Sequence, residues 1–421
     1  MEDCHTDSEL LTQFHKNTPQ LRFSGFNDEW EEKNFSEITY ISATKNKSNL
    51  PLESYSITNE NGFIPQDEQF ENGGTMKDAD KRMYWIVPPK SFGYNPARIN
   101  VGSIGYYDGK KDVIVSSLYE IFKMTENCDD AFFWQWFKSE KLQKLVERLQ
   151  EGGVRLYFYY DKLCMGKIKI PSLSEQQKIG TMLSKIDSLI QAKTKKLESL
   201  KAVKKSLLQK CFPKEGEKVP QMRFEGYSGE WEEKKLGEIA EKFDYGLNAA
   251  ATDFDGKNKY LRITDIDDEN RYFKYDDVSS PDCILSESEN YLLRENDIVF
   301  ARTGASVGKT YIYNKQDGIV YFAGFLIRAH IKQEYDSLFI FQNTLSEPYN
   351  KYIQITSQRS GQPGVNAEEY KEYSVMCPPT LAEQQKIGQF FSKYDSLISA
   401  QQKEIDKLKE VKKALLQKMF C

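Results

Sequence analysis

Two stretches of the chain occur twice, and no other feature limits its architecture as much, because a long-range repeat sets the plan of a molecule before any propensity is consulted. Pro19-Gln20-Leu21-Arg22-Phe23-Ser24-Gly25-Phe26, continuing to Glu29-Trp30-Glu31-Glu32-Lys33, returns as Pro220-Gln221-Met222-Arg223-Phe224-Glu225-Gly226-Tyr227, continuing to Glu230-Trp231-Glu232-Glu233-Lys234. The segment from Pro171 to Phe212 returns from Pro379 to Phe420, with roughly 26 of about 42 positions identical. The regions between, about 35–170 and 236–378, share little identity. The plan is a variable domain, a shared segment, a second variable domain and the shared segment again. At 421 residues the chain has room for this.

The shared segments read as long helices. Ser172-Leu173-Ser174-Glu175 and Thr380-Leu381-Ala382-Glu383 each fit a capping box behind a proline. Neither copy then contains proline, or glycine beyond Gly180 and Gly388, for a run of ~38 residues, which as helix measures ~57 Å. Apolar residues fall at 4-3 spacing, at Ile179, Leu183, Ile186, Ile190, Leu197, Leu200 and Leu207, and again at Ile387, Phe391, Tyr394, Ile398, Ile405, Leu408 and Leu415. Such a stripe is a coiled-coil seam, and the simplest partner for each helix is the other, about a pseudo-two-fold axis. Both seams are interrupted at matching points, by Lys193 and Gln401 and by Lys204 and Lys412. Two readings are open: polar seam residues that set register, or lysines whose ammonium groups bend out to water. The first helix carries nine lysines against three acidic residues and the second eight against five. This positive charge suits either a solvated face or a phosphate or partner contact.

Composition narrows the functional classes. Hydrophobic residues at 39% and aromatic residues at 13% suffice for real cores. Seven scattered cysteines with no CxxC pair point to a reduced, cytoplasmic protein rather than a disulfide scaffold. No apolar run approaches the ~20 residues of a bilayer span, so no membrane is expected. With only His5, His15 and His330, neither a zinc site nor a histidine-based triad can be assembled, and no dinucleotide or methyl-donor motif is present. The expected chain is non-catalytic, with no cofactor or metal of its own. Its net charge of −5 means that any nucleic-acid contact must be local rather than a bulk electrostatic effect.

The variable domains mix strand-like runs, such as Asp297–Phe300 and Gly318–Phe322, with an amphipathic helix expected over Ala131–Leu149, so each reads as an α+β globule. Gly304-Ala305-Ser306-Val307-Gly308-Lys309-Thr310 looks at first like a phosphate-binding loop. It has three residues between its glycines where a P-loop has four, and Tyr311-Ile312-Tyr313 reads as a strand where a helix is needed, which sets an ATPase reading aside. What the segment offers is Arg302, Thr303, Ser306 and Lys309 on backbone that glycine allows close to a ligand. Arginine pairs with guanine through two parallel hydrogen bonds, while hydroxyls and amides reach phosphate. Ala97–Gly105 echoes Ala301–Gly308 with one residue gapped, adding Arg98, Asn100 and Ser103, with Tyr94 and Asn95 just before them. Gln358, Arg359, Gln362 and Asn366 form another amide and guanidinium cluster able to read adenine and guanine edges. For each of these groups a plain structural turn is the competing reading.

Two dissimilar domains separated by near-identical helices that begin Pro-x-Leu-x-Glu-Gln-Gln-Lys-Ile, at Pro171–Ile179 and Pro379–Ile387, closely resemble the specificity subunits of type I restriction-modification enzymes. The resemblance covers nearly the whole chain. It implies an N-terminal arm at 1–18, target-recognition domains at 19–170 and 220–378, conserved helices at 171–212 and 379–421, and a linker at 213–219, with the helices in an antiparallel coiled coil. It further implies double-stranded DNA as ligand, modification (methyltransferase) subunits docked on the conserved helices, and restriction/motor subunits beyond them. S-adenosylmethionine, ATP and Mg would then belong to those partners. The duplicated helix surface suggests two modification subunits. A rod of ~57 Å spans ~17 base pairs, so two unlike heads could read an asymmetric bipartite site with half-sites about a helical turn apart. The alternatives are a stand-alone DNA-binding regulator with a coiled-coil spacer and, against the loop spacing, an ATPase using Gly304–Thr310.

Overall fold

The computed structural model describes residues 18–69, 80–153 and 156–420. The arm expected at 1–18 lies outside the described residues except for Thr18. The chain divides into two compact units, one formed by the chain up to Ala192 together with Asp406 onward, the other by Lys193–Ile405.

The first unit contains a four-stranded antiparallel sheet in the order Thr39–Ile41, Glu120–Met124, Ser91–Tyr94, Ile104–Tyr107. The second repeats this topology with Ala240–Tyr245, Leu326–Ile331, Asp297–Ala301, Thr310–Ile312. Each unit also pairs the strand after its repeated opening block with the strand before its long helix: Glu31–Asn34 with Lys167–Ile170, and Glu232–Lys235 with Ser374–Cys377. The differences lie in the additions. The first unit adds a five-stranded sheet that includes Ser54–Thr58 and Val113–Val115, whereas the second adds two separate two-stranded sheets. Two domains with little sequence in common thus share one α+β frame.

The helix expected over Ala131–Leu149 is two helices, Asp130–Phe137 and Glu140–Leu149. The break has a local cause: the Ser139 hydroxyl accepts from the Lys141 amide and starts a new helix. The second unit has the same pair, Ser337–Asn343 and Glu347–Thr356.

The shared segments are helices of 39 residues each, Leu173–Cys211 and Leu381–Met419. Within each unit they run antiparallel. In the first, Ile179, Leu183 and Ile186 share a core with Leu415, Leu416, Met419 and Phe420. In the second, Ile387 and Phe391 share one with Leu207, Leu208, Cys211 and Phe212. Leu197, Ile398 and Ile405 are buried; Ile190, Leu200 and Leu408 are half-buried. Seam lysines are resolved by their partners. Lys204 pairs with Asp395 and Lys412 with Asp187, while Lys193 pairs with Glu404 at 2.6 Å. Each aspartate also accepts from a glutamine of the recognition domain, Gln342 Nε2 to Asp395 at 2.7 Å and Gln135 Nε2 to Asp187 at 2.9 Å.

Half of the second expected capping box is present, the Thr380 hydroxyl accepting from the Glu383 amide at 3.3 Å, but the glutamate side chains of both boxes are used elsewhere. Glu175 is fully buried and takes both oxygens to Arg22, at 2.7 and 2.8 Å, and Glu383 does the same with Arg223. A planar guanidinium matches a carboxylate with two bonds, which outweighs a single reach-back to a cap amide. This pairing accounts for the recurring Arg of the opening block. The next residue, Gln176, accepts from the amide of Asp129, and Gln384 from that of Asp336, each at 3.0 Å. Those two aspartates cap Asp130–Phe137 and Ser337–Asn343, the first helix of the pair in each recognition domain. Gly180 and Gly388 sit where that helix start touches the rod: a Cβ on Gly180 would lie 2.6 Å from the Phe132 amide nitrogen. Finally, Phe212 stacks on Phe339 at 5.4 Å, and Phe420 lies 5.2 Å from Phe132.

Among the described residues no helix is long and apolar enough to cross a membrane.

Candidate nucleic-acid interface

In the second unit the two clusters singled out in the sequence are brought into one surface. The strand Asp297–Ala301 ends at Arg302, and a short 3-10 turn over Gly304–Ser306 leads into the strand Thr310–Ile312. Gly304 and Gly308 both have φ near +80°, at +76° and +81°, and a Cβ on Gly308 would strike Ile353. The 357–366 loop closes over this turn. Thr303 bridges to Gly364, the Gly304 amide donates to Pro363 O at 3.0 Å, and the Val365 amide donates to Arg302 O at 2.9 Å.

The side chains on this surface differ sharply in what they already hold. Lys309 is buried, paired with Asp268 and donating to Ile266 O at 3.2 Å, so the lysine that a phosphate-loop reading would aim at a ligand instead anchors its own loop. The Lys309 hydrogen bond and charge hold the Asp268 carboxyl below the usual carboxylate range. Arg359 pairs with Glu369 and donates to Thr356 O at 2.7 Å. Asn366 caps the helix Ala367–Lys371, accepting from Glu369 N at 2.9 Å. Gln358 and Gln362 are exposed, and Thr303 and Ser306 half-buried. Arg302 stands apart. Its guanidinium lies 5.1 Å from the centroid of the Tyr245 ring, and among the described residues its buried Nε has no hydrogen-bond partner and no carboxylate pairs with it.

The first unit builds the corresponding surface by the same route. The turn Ile99–Val101 joins the strands Ser91–Tyr94 and Ile104–Tyr107. The segment after the second helix of the pair is pinned to it, with the Phe158 amide donating to Pro96 O at 3.0 Å. Backbone pairing places Asn95 against Ser103 as Ala301 is placed against Lys309, so the structural equivalence is offset by two residues from the Ala97–Ala301 sequence echo.

Several of the singled-out residues here are internal. Tyr94 is fully buried, its hydroxyl pushed well above its usual pKa by burial. Ser103 is buried and donates to Ile57 O at 2.9 Å, and the Asn95 side chain accepts from the Ala97 amide at 3.0 Å. Arg98 and Asn100 are exposed, with side chains free of hydrogen-bond or ion-pair partners among the described residues.

Sequence reasoning missed Tyr245, which no local pattern links to Arg302, and the stacked pair Tyr157–Tyr159, whose rings lie 5.5 Å apart at 3°. The aromatic run Tyr157-Phe158-Tyr159-Tyr160 was the available signal for the latter. The one histidine among the described residues, His330, has its Nδ1 2.6 Å from buried Asp297.

Comparisons with known proteins agree with this architecture. The type I restriction modification DNA specificity domain matches twice, at residues 27–202 and 228–410. The chain is 25% identical over 330 residues to the type I restriction enzyme MjaVIII specificity subunit of Methanocaldococcus jannaschii, covering 75% of each protein. It is 20% identical to the putative MjaX specificity subunit of the same organism, covering 97% of each. The crystal structure of a type I restriction-modification system S subunit from M. genitalium matches its fold with a TM-score of 0.60 at 17% identity, over 96% of this chain and 99% of that one. With both of its halves matched by that domain, the chain belongs to the family of type I restriction-modification DNA specificity subunits.

Proposed function

We propose that this chain is the address-bearing subunit of its restriction-modification complex, reading a bipartite, asymmetric DNA sequence with one half-site per recognition domain. The observation that carries the reading is the contrast within the molecule. Repeated residues of the rods and opening blocks, among them Arg22, Glu175, Phe212 and Phe420, fasten each recognition domain to its helices. The loops presented by those domains differ: Arg98 and Asn100 are offered by one, and Arg302, Gln358 and Gln362 by the other. One mounting with two different reading surfaces is what an asymmetric target requires.

In this reading the chain contributes recognition rather than reaction. Two modification subunits dock on the duplicated helical surface, restriction/motor subunits join them, and S-adenosylmethionine, ATP and Mg are used in those partners. Lys309 supports no nucleotide role, being committed to Asp268 and Ile266 O.

The test is a domain exchange. Residues 35–170 are replaced by the corresponding region of another specificity subunit, and methylated adenines are mapped in a host that also expresses the modification subunits. One half of the methylated sequence should change and the other should persist. A change in both halves would refute the modular reading, and a one-to-one ratio of this chain to modification subunit in the purified complex would refute the double docking.

A further inference from the structure

The recognition loop of the second unit holds a cation, Arg302, that the fold has shaped and left unspent. Arg328 is paired with Asp244, Lys309 with Asp268 and Arg359 with Glu369, whereas among the described residues Arg302 has no carboxylate. Its backbone is fixed on both sides, by the Arg302 amide donating to Phe325 O at 3.0 Å and by Arg302 O accepting from Val365 N at 2.9 Å. The Tyr245 ring lies beneath the guanidinium and is itself held, since the Tyr245 hydroxyl accepts from the Ala367 amide at 3.3 Å. Stacking of this kind sets the plane of the guanidinium and lowers the entropy lost when it bonds. The Nε is closed off inside, while the terminal nitrogens are not enclosed, and among the described residues none of the three has a hydrogen-bond partner. A guanidinium so placed presents one edge, a fork of two parallel N–H donors, to whatever occupies the surface.

Two acceptors in DNA fit that fork: the O6 and N7 of guanine in the major groove, and a pair of phosphate oxygens. A pair of phosphate oxygens takes the same fork as a guanine edge does, so the surroundings decide between them. The neighbours favour a base. Gln362 and Gln358, exposed on the loop bonded to Arg302, are amide side chains suited to base edges, and Lys309 and Arg359 are already neutralised by Asp268 and Glu369. We infer that Arg302, levelled on Tyr245, reads a guanine in the half-site recognised by the second domain. This rests on the functional reading above and goes further, in assigning one base to one residue.

The test uses the whole complex. Methylated sites are mapped in hosts expressing the modification subunits with the wild-type chain, Arg302→Gln, Arg302→Lys or Tyr245→Leu. Arg302→Gln should relax the requirement for guanine at one position of one half-site, with discrimination there falling roughly tenfold to a hundredfold. The other half-site should stay intact, which also shows that the variant folds and assembles. Tyr245→Leu should relax the same position more weakly. A uniform loss of methylation at all sites with the motif unchanged would assign Arg302 to phosphate and overturn the inference, as would an unaltered motif at wild-type level. A wild-type chain that directs no bipartite motif would overturn the functional reading itself, and the inference with it.

Discussion

Lys204 of the first rod is ion-paired with Asp395 of the second, and 208 residues further along the chain the same pair recurs with the rods exchanged, Lys412 with Asp187. Lysine in a coiled-coil seam ordinarily weakens it. Here each ammonium ends on an aspartate that a recognition-domain glutamine also holds, so the charge ties rod to rod and rod to domain at one point.

Removing one partner should therefore cost more than removing both. Asp395→Ala leaves the Lys204 ammonium, about 10% exposed, without its counter-charge, and should destabilise the chain by about 2 kcal/mol, short of the fully buried case because Asp395 keeps some contact with water. Lys204→Met combined with Asp395→Leu should recover most of that loss. Urea denaturation of the single and double variants is the measurement.

Acid should loosen the first unit through Asp187. Burial, the largest influence on its carboxyl, raises the pKa, but the hydrogen bonds from Lys412 and Gln135 and the charge of Lys138 together outweigh it and leave it below its usual value. A pKa lowered in the folded state means stability that is present above the unfolded value of ~3.9 and is lost as pH falls through the folded one. Asp187→Asn should be less stable at neutral pH yet show a flatter decline below about pH 4. Thermal midpoints recorded from pH 7 to pH 2.5 decide it.

Gly180→Ala and Gly388→Ala should both destabilise, against the usual sign. In an open helix the change would add about 1 kcal/mol of stability. At these positions the new methyl would meet the start of a recognition-domain helix, 2.6 Å from Phe132 N in one case and 2.8 Å from Phe339 N in the other. A loss of about 1–3 kcal/mol is expected from the forced displacement. An increase in thermal midpoint would contradict the contact.

Arg22→Ala strands the Glu175 carboxylate in a fully buried position and should cost about 3–5 kcal/mol. Arg22→Ala with Glu175→Gln should be milder, because a neutral amide is less costly to bury. Arg223→Ala and Glu383→Gln should repeat the pattern in the second unit. Chemical denaturation curves of the four variants provide the comparison.

The plan of the molecule could be read from the chain because repetition and heptad spacing are local or self-referential signals. Ile179, Leu183 and Phe391 are buried on the stripe that the spacing marks. The pattern of ion pairs could not be read that way. Glu175 has the sequence context of a capping residue, and its actual partner, Arg22, lies 153 positions away. The recognition surface was legible by residue type but not by availability. Lys309, Arg359, Ser103 and Arg302 carry equally suitable chemistry, and only folding decides that the first two meet carboxylates, the third turns inward to Ile57 O and the last stays free. The joining of the 302–309 and 357–366 loops depends on a bridge from Thr303 to Gly364, for which no local pattern exists.

The allocation of rod segments to units also bears on how the molecule comes into being at the ribosome. The unit made of Lys193–Ile405 is one unbroken stretch and can close as soon as it has emerged. The other unit begins earlier in the chain but needs Leu415, Met419 and Phe420 to complete its core, and Lys412 to meet Asp187. During synthesis that domain therefore waits, its apolar helix face uncovered, until residues 412–420 have been added. The half translated second is the first that can finish folding.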